Sequence, residues 1–194
     1  ERAAVRVSSY GTLSTPPLGT LAADFGPSGS RMAAVEAILY RQGVEREFPD
    51  EVTREAQAIS QTVPAEAIER RLDLREELII TIDGAATKDI DDAISLKREG
   101  ENWLLGVHIA DVSHYVLPGS ALDEEAFSRG TSVYFADQVV PMLPVALSNG
   151  ICSLNPGVDR LALSCLMTLN KSGEVVSHSI AASVICSKER MTYE

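Results

Sequence analysis

Four aspartates, Asp83, Asp89, Asp91 and Asp92, crowd the stretch TIDGAATKDIDDAI at 81–94. Carboxylates held close together raise one another's pKa unless a cation neutralises them. In an open acidic turn, water alone would screen them. Here Ile82, Ile90, Ala93 and Ile94 are interleaved with the acids, so the segment is expected to be anchored to a core. Charges held against a core need a counter-charge. A hard divalent cation meets that need, and Mg²⁺ is bound by a few carboxylates together with water and phosphate oxygens. A cluster that leaves metal positions open suits phosphoryl chemistry. Two metals roughly 4 Å apart activate a water and stabilise the leaving oxygen of a phosphodiester.

Other chemistries fit less well. A calcium loop starting at Asp83 would need Gly at its sixth position, where Lys88 stands, and Glu at its twelfth, where Ile94 stands. No GxxxxGK[ST] motif is present to cradle a nucleotide. Cys152, Cys165 and Cys186 are far apart in apolar surroundings and read as buried thiols in a reducing compartment. His108, His114 and His178 form no paired-ligand pattern and read as structural.

The elements that must position the acids are visible as strands and turns. ELIITID is an apolar, β-rich strand. AISLKREGENWLLGVHIADV predicts a hairpin turning at EGEN. SALDEEAFSRG predicts a helix, with Ser120 and Asp123 at capping-box spacing and Gly130 as its stop. The stretch from Thr131 to Gly157, with Pro141, Pro144 and Pro156, reads as ordered loop. RLALSCLMTLN and EVVSHSIAASVICS flank KSG, a hairpin turn. The strands over 161–186 are expected to leave an exposed edge open to association, and no closing element is visible in the final ERMTYE.

Upstream, AAVRVSSYG and the Pro- and Gly-rich STPPLGTLAADFGPSG read as short strands and turns, and MAAVEAILYRQG as a helix stopped by glycine. Between them and the acidic strand lies a charged segment expected to hold solvated helices. Asp50 is read as an N-cap, Val52 and Ala56 recur at helical spacing, and Pro64 opens a further helix. The whole predicts an α+β chain.

Its 194 residues are 45% hydrophobic and 5% aromatic, so aliphatic packing must build the core. No apolar run is long enough to span a bilayer, so no membrane association is expected. The N-terminus shows no signal-peptide pattern, although the chain does not begin with Met. A net charge of −11 argues against a nucleic-acid surface unless a metal or another domain supplies positive charge.

Several motifs occur together in one order: TIDGAATKDIDDAIS, GVHIADVSHYV, LDEEAFSRGTSVYF, VVPMLPVALSNGICSLNPGVDR and CLMTL. In this order and spacing the chain, from about Phe48 onward, closely resembles the ribonuclease II / ribonuclease R family. HIADVSHYV and RGTSVYF look more like ribonuclease R. The resemblance implies three regions. Residues 1–45 would be the end of an OB or cold-shock-type β domain, 46–77 a helical linker, and 78–194 the N-terminal part of an RNB-type mixed α+β catalytic domain. It implies a cytoplasmic hydrolase that cuts single-stranded RNA processively from 3′ to 5′ and releases nucleoside monophosphates. Mg²⁺ would be required, and no small-molecule cofactor.

Carried over by motif, Asp83, Asp89, Asp91 and Asp92 would bind Mg²⁺. Asp89 and Asp91 would act catalytically, with Asp91 tied most closely to the chemical step. Tyr134 would stack on the terminal base, a contact tolerant of base identity. Asp111 and Asn149 are read as caps of local structure rather than as supports for the site. The family's later active-site arginine and glutamate, its S1 domain and its first cold-shock domain have no counterpart in these residues. The chain alone is therefore expected to be inactive, and the missing parts would account for its acidic balance. The alternative is a non-catalytic RNA-binding relative. The presence of all four acids favours the enzyme, because a degenerate relative would be free to lose them.

Overall fold

The computed structural model describes residues 1–136 and 138–193. The chain divides into two compact units, Glu1–Phe48 and Pro49–Glu194. In the first, β1 (Arg2–Ser9) and β2 (Leu18–Gly26) form an antiparallel hairpin. Helix α1 (Arg31–Gln42) follows. The Ser30 hydroxyl accepts the Ala33 N–H at its start, and Gly43 ends it at φ 67°, a conformation that glycine adopts without a Cβ penalty. Ala33, Val35 and Leu39 are buried, and Phe25 meets Tyr40 edge-on with ring centroids 5.4 Å apart.

The second unit runs α2 (Asp50–Ala58), α3 (Ala65–Ile68), β3 (Leu72–Asp73), β4 (Ile79–Asp83), β5 (Asp92–Glu99), β6 (Asn102–Ala110), α4 (Ala121–Arg129), β7 (Val133–Tyr134), β8 (Val139–Val140), β9 (Asp159–Leu169), β10 (Val175–Cys186) and β11 (Glu189–Thr192). Seven of its strands form one mixed sheet in the order β11-β4-β5-β6-β9-β10-β3, and β7 and β8 form a small ribbon. The β11–β4 and β10–β3 pairs are parallel, and the other ladders of the large sheet are antiparallel. The architecture is α+β, as the sequence predicts.

Both predicted hairpins of this unit form. β5 turns into β6 at Gly100, and β9 is joined to β10 through the bonds between Asn170 and Glu174. The core gathers Leu74, Ile79, Ile90, Ala93, Ala110, Leu154, Ala162 and Ile185. A polar chain crosses the sheet beside it. His108 is fully buried, with Nε2 3.1 Å from Ser95 Oγ and Nδ1 2.6 Å from Ser164 Oγ. Ser164 Oγ is 2.6 Å from Ser183 Oγ, which donates to the Ala162 carbonyl. Gly106, opposite Ser95, makes room for this chain. A Cβ there would lie 2.4 Å from Ser95 Oγ and 2.7 Å from His108 Nε2.

The structure corrects several local expectations. Asp50 is the first helical residue of α2 and makes no side-chain cap; Pro49 holds the cap position, and Asp50 and Glu51 favour the helix N-terminus by charge alone. Pro64 likewise precedes α3, which lasts one turn because Leu72 and Asp73 leave the helical path to pair with β10. The final segment does close the fold, as β11 beside β4. Of the two strands over 161–186, β9 is paired on both sides, so their exposed edge falls on β10, which meets β3 at Ser183 and Val184. Cys152 is buried, but Cys165 and Cys186 are only partly so; all three are free. Ile82 is 38% exposed, because β4 turns Ile79 and Thr81 to the interior and its even-numbered residues away. Among the described residues no helix is long and apolar enough to cross a membrane.

Candidate functional site

Strand β4 ends at Asp83 and β5 begins at Asp92, so the loop 84–91 joins two neighbouring strands. Their ladder pairs Ile79 with Ser95 and Ile80 with Ile94 and extends no further. Beyond it the strands part, and all four predicted acids fall at this one end of the sheet. Asp83 and Asp89 are half-buried, while Asp91 and Asp92 are exposed. Between them Ile90 has no exposed surface and belongs to the core cluster, and Ala93 is 1% exposed. Of the four apolar residues expected to anchor the segment, these two do so most completely. Burying one isoleucine is worth roughly 2–3 kcal/mol, enough to hold a short loop against the repulsion of its own charges.

The backbone of the loop is fastened on one side by the segment 150–154. The Ser153 hydroxyl donates to the Lys88 carbonyl at 2.9 Å and accepts the Ile90 N–H at 3.1 Å. The Leu154 N–H donates to the Ile90 carbonyl at 2.8 Å, and the Ala110 N–H to the Asp91 carbonyl at 2.9 Å. Ser153 is itself set by Arg160, whose Nε donates to the Ser153 carbonyl at 2.7 Å and whose Nη2 donates to the Gly150 carbonyl at 3.2 Å. Burial pushes the Arg160 pKa down, while nearby Tyr115, Cys152 and Asp159 oppose this.

Asp83 is the electrostatic centre of the cluster. Burial raises its pKa most, and the charge of Asp92 raises it further. Arg190 acts against them, and Asp91 and Asp89 add to the rise. The same four aspartates therefore share one field. Asp83 Oδ2 is buried without a hydrogen-bond partner. Among the described residues, no three His, Cys, Asp or Glu side chains are already gathered into a metal-holding group. The four acids are brought to one end of the sheet by the loop backbone. The donors are all oxygen, as hard cations require, and an orphaned buried carboxylate oxygen is what a cation would satisfy.

Tyr134, in β7, reaches the same cluster. Its hydroxyl donates to Asp89 Oδ2. That bond is the main reason its phenol pKa is raised, with burial and the Asp89 charge adding to it. The residue is 62% exposed. A single side chain thus touches one of the acids and offers surface for stacking.

Asp111 does not act as a cap. It forms an ion pair with Arg71, Nη2 to Oδ2 at 2.6 Å, and accepts the Ser113 hydroxyl at 2.7 Å. Burial works against its charge, but Ser113 and Arg71 hold its carboxyl below the usual range. The pair ties the segment after α3 to the end of β6. Asn149 lies in the π-helical turn Ala146–Ile151, accepting from Ser148 Oγ at 3.1 Å through its side chain and from Asn155 Nδ2 at 3.2 Å through its carbonyl. Ser153, Arg160, Arg71 and Arg190 were not singled out from the sequence. Of these only Arg160 carried a signal, a charge opening the apolar strand pattern RLALSCLMTL.

The RNB domain family model matches residues 71–194, well over half of the chain. The chain belongs to this family. It is 58% identical over 149 residues to Thermotoga maritima ribonuclease R, covering 76% of this chain and 21% of that protein. It is 53% identical over 158 residues to Lactococcus lactis ribonuclease R 1, covering 81% of this chain and 19% of that protein. The chain thus spans about a fifth of the length of these curated relatives. Among solved structures it resembles Mycoplasma genitalium RNase R in complex with ribose-methylated single-stranded RNA. The TM-score is 0.89 at 30% identity, over 98% of this chain and 30% of that one.

Proposed function

We propose that this chain is the N-terminal part of the catalytic domain of an Mg²⁺-dependent exoribonuclease, which hydrolyses single-stranded RNA from 3′ to 5′ and releases nucleoside monophosphates. The observation that carries this reading is the fastened acidic loop. Four carboxylates share one field at the end of the sheet, and Asp83 presents a buried, unpartnered oxygen. Family membership and the named ribonuclease R relatives support the same activity.

Asp83, Asp89, Asp91 and Asp92 are the residues that would hold Mg²⁺. Bound there, the ion would lower the pKa of a coordinated water and offset charge developing on the phosphodiester. Asp91, exposed in the loop and held through its carbonyl by the Ala110 N–H, is assigned to orienting the attacking water. Asp89 is assigned a share in this role, shared with its bond to Tyr134. The exposed Tyr134 ring is assigned to stacking on the terminal base, where an aromatic face contributes about 1–3 kcal/mol without reading sequence. Residues 1–45 are assigned to the end of a cold-shock-type domain, and three free thiols support a reducing, cytoplasmic setting. With net charge −11, residues 1–194 repel a polyphosphate chain, so alone they should neither retain nor degrade RNA.

The test is to incubate the whole protein with uniformly labelled single-stranded RNA, with and without Mg²⁺, beside Asp91→Asn. Monophosphate release that needs Mg²⁺ and falls at least a hundredfold in Asp91→Asn is expected. Binding without release by the unmutated protein would instead identify a non-catalytic RNA-binding relative. Undiminished cleavage by Asp91→Asn would refute the residue assignment.

A further inference from the structure

Arg190, on the short terminal strand β11, reaches across to the acidic loop. Its Nη2 donates to the carbonyls of Thr87 at 2.6 Å, Gly84 at 3.1 Å and Ala85 at 3.2 Å. The backbone of the loop's first half thus converges on one guanidinium nitrogen. The half that follows is held by Ser153, Leu154 and Ala110. No other side chain is seen to bond the carbonyls of Gly84, Ala85 and Thr87 among the described residues. Arg190 also lies near Asp83 and favours its ionised form. β11 holds this arginine in register, because Arg190 pairs with Thr81 and Thr192 with Asp83 in the parallel ladder.

We propose that Arg190 is a positioning residue for the metal-binding loop: by gathering three loop carbonyls it sets the path of the backbone between Asp83 and Asp89, and so the geometry in which the carboxylates receive a divalent cation. The inference rests on the reading of the four aspartates as a metal site. It concerns the preformed shape of that site and assigns Arg190 no contact with RNA. All three contacts run to one nitrogen, Nη2, whose two N–H groups are shared among the three carbonyls, with the shortest to Thr87. Its charge alone would repel a cation, so any gain in metal affinity must come from ordering the loop. That opposition separates the proposal from simple electrostatics.

The experiment uses the whole protein and three variants: Arg190→Met, Arg190→Lys and, as a control on the residue just before β11, Lys188→Met. Lys188 donates to the Arg75 carbonyl and does not touch the loop. Mn²⁺ binding is measured by electron paramagnetic resonance, and amide hydrogen exchange is followed in metal-free protein. In Arg190→Met, exchange over 84–88 should quicken at least tenfold while β5, β6 and β9 keep their protection, and the Mn²⁺ Kd should rise at least tenfold. Arg190→Lys should recover part of both, and Lys188→Met should leave both unchanged.

Unchanged or tighter Mn²⁺ binding in Arg190→Met would overturn the inference while leaving the metal site standing. So would an exchange increase spread evenly over the sheet with no recovery in Arg190→Lys, which marks a role in general stability. Failure of the unmutated protein to bind Mn²⁺ would overturn the metal site and this inference with it.

Discussion

His108 is fully buried between hydroxyls, and that burial drives its pKa down to about 4, with Glu77 acting weakly the other way. It is neutral in the folded protein at physiological pH, bonded to Ser95 and Ser164. An unfolded imidazole titrates near its ordinary value of 6.5. Between those two values the unfolded chain binds a proton that the folded chain refuses. Stability from this residue is therefore complete above about pH 6.5 and falls as the pH drops toward 4. Urea unfolding at pH 7 and pH 4.5 should show the parent losing about 2 kcal/mol more than His108→Gln across that interval. An equal loss in both proteins would show that His108 titrates normally. The sequence marked this histidine as structural but could not show why, since its partners Ser95 and Ser164 come from two other strands.

At the scale of elements, the acidic loop depends on a hydrophobic anchor set among its charges. Ile90 belongs to the same core cluster as Ile79, Ala93 and Leu154. Ile90→Ala should destabilise the protein by roughly 3 kcal/mol, and Ile90→Val by about 1 kcal/mol. Because the peptide groups of this residue are bonded to Ser153 and Leu154, the alanine variant should also weaken Mn²⁺ binding. Equilibrium urea unfolding combined with Mn²⁺ titration checks both effects. A full loss of stability with unaltered metal affinity would show that the core anchor and the site are independent. The strand and hairpin pattern around the loop could be read locally, because alternation and turn residues are local signals. The one-turn length of α3 could not, since it is set by the pairing of Leu72 and Asp73 with β10.

For the whole molecule, the loop fastenings seen among the described residues, Ser153, Leu154, Ala110 and Arg190, lie inside Pro49–Glu194, with Arg160 behind Ser153. Deleting residues 1–48 should therefore leave a protein with one cooperative melting transition and unchanged Mn²⁺ affinity. Differential scanning calorimetry and metal titration test this; a broad or absent transition would show that the first unit is needed for the fold. The acidic balance of the chain belongs to this scale as well. It favours cations over RNA phosphates near the chain's acidic surface.

The sequence by itself determined the chemistry that is available here. Its oxygen donors and their spacing, the buried Ile90 and Ala93 among them, and the hairpins on either side all follow from residue type and short-range pattern. Tertiary structure decided which groups hold those donors in place. Arg190 reaches Thr87, Ser153 reaches Lys88 and Ile90, and Arg71 reaches Asp111, each across a gap in sequence that no local periodicity spans. Parallel pairing of β11 with β4 brings the end of the chain to the acids. Such contacts form only once a common core has closed the intervening chain, so they carry no short-range signature.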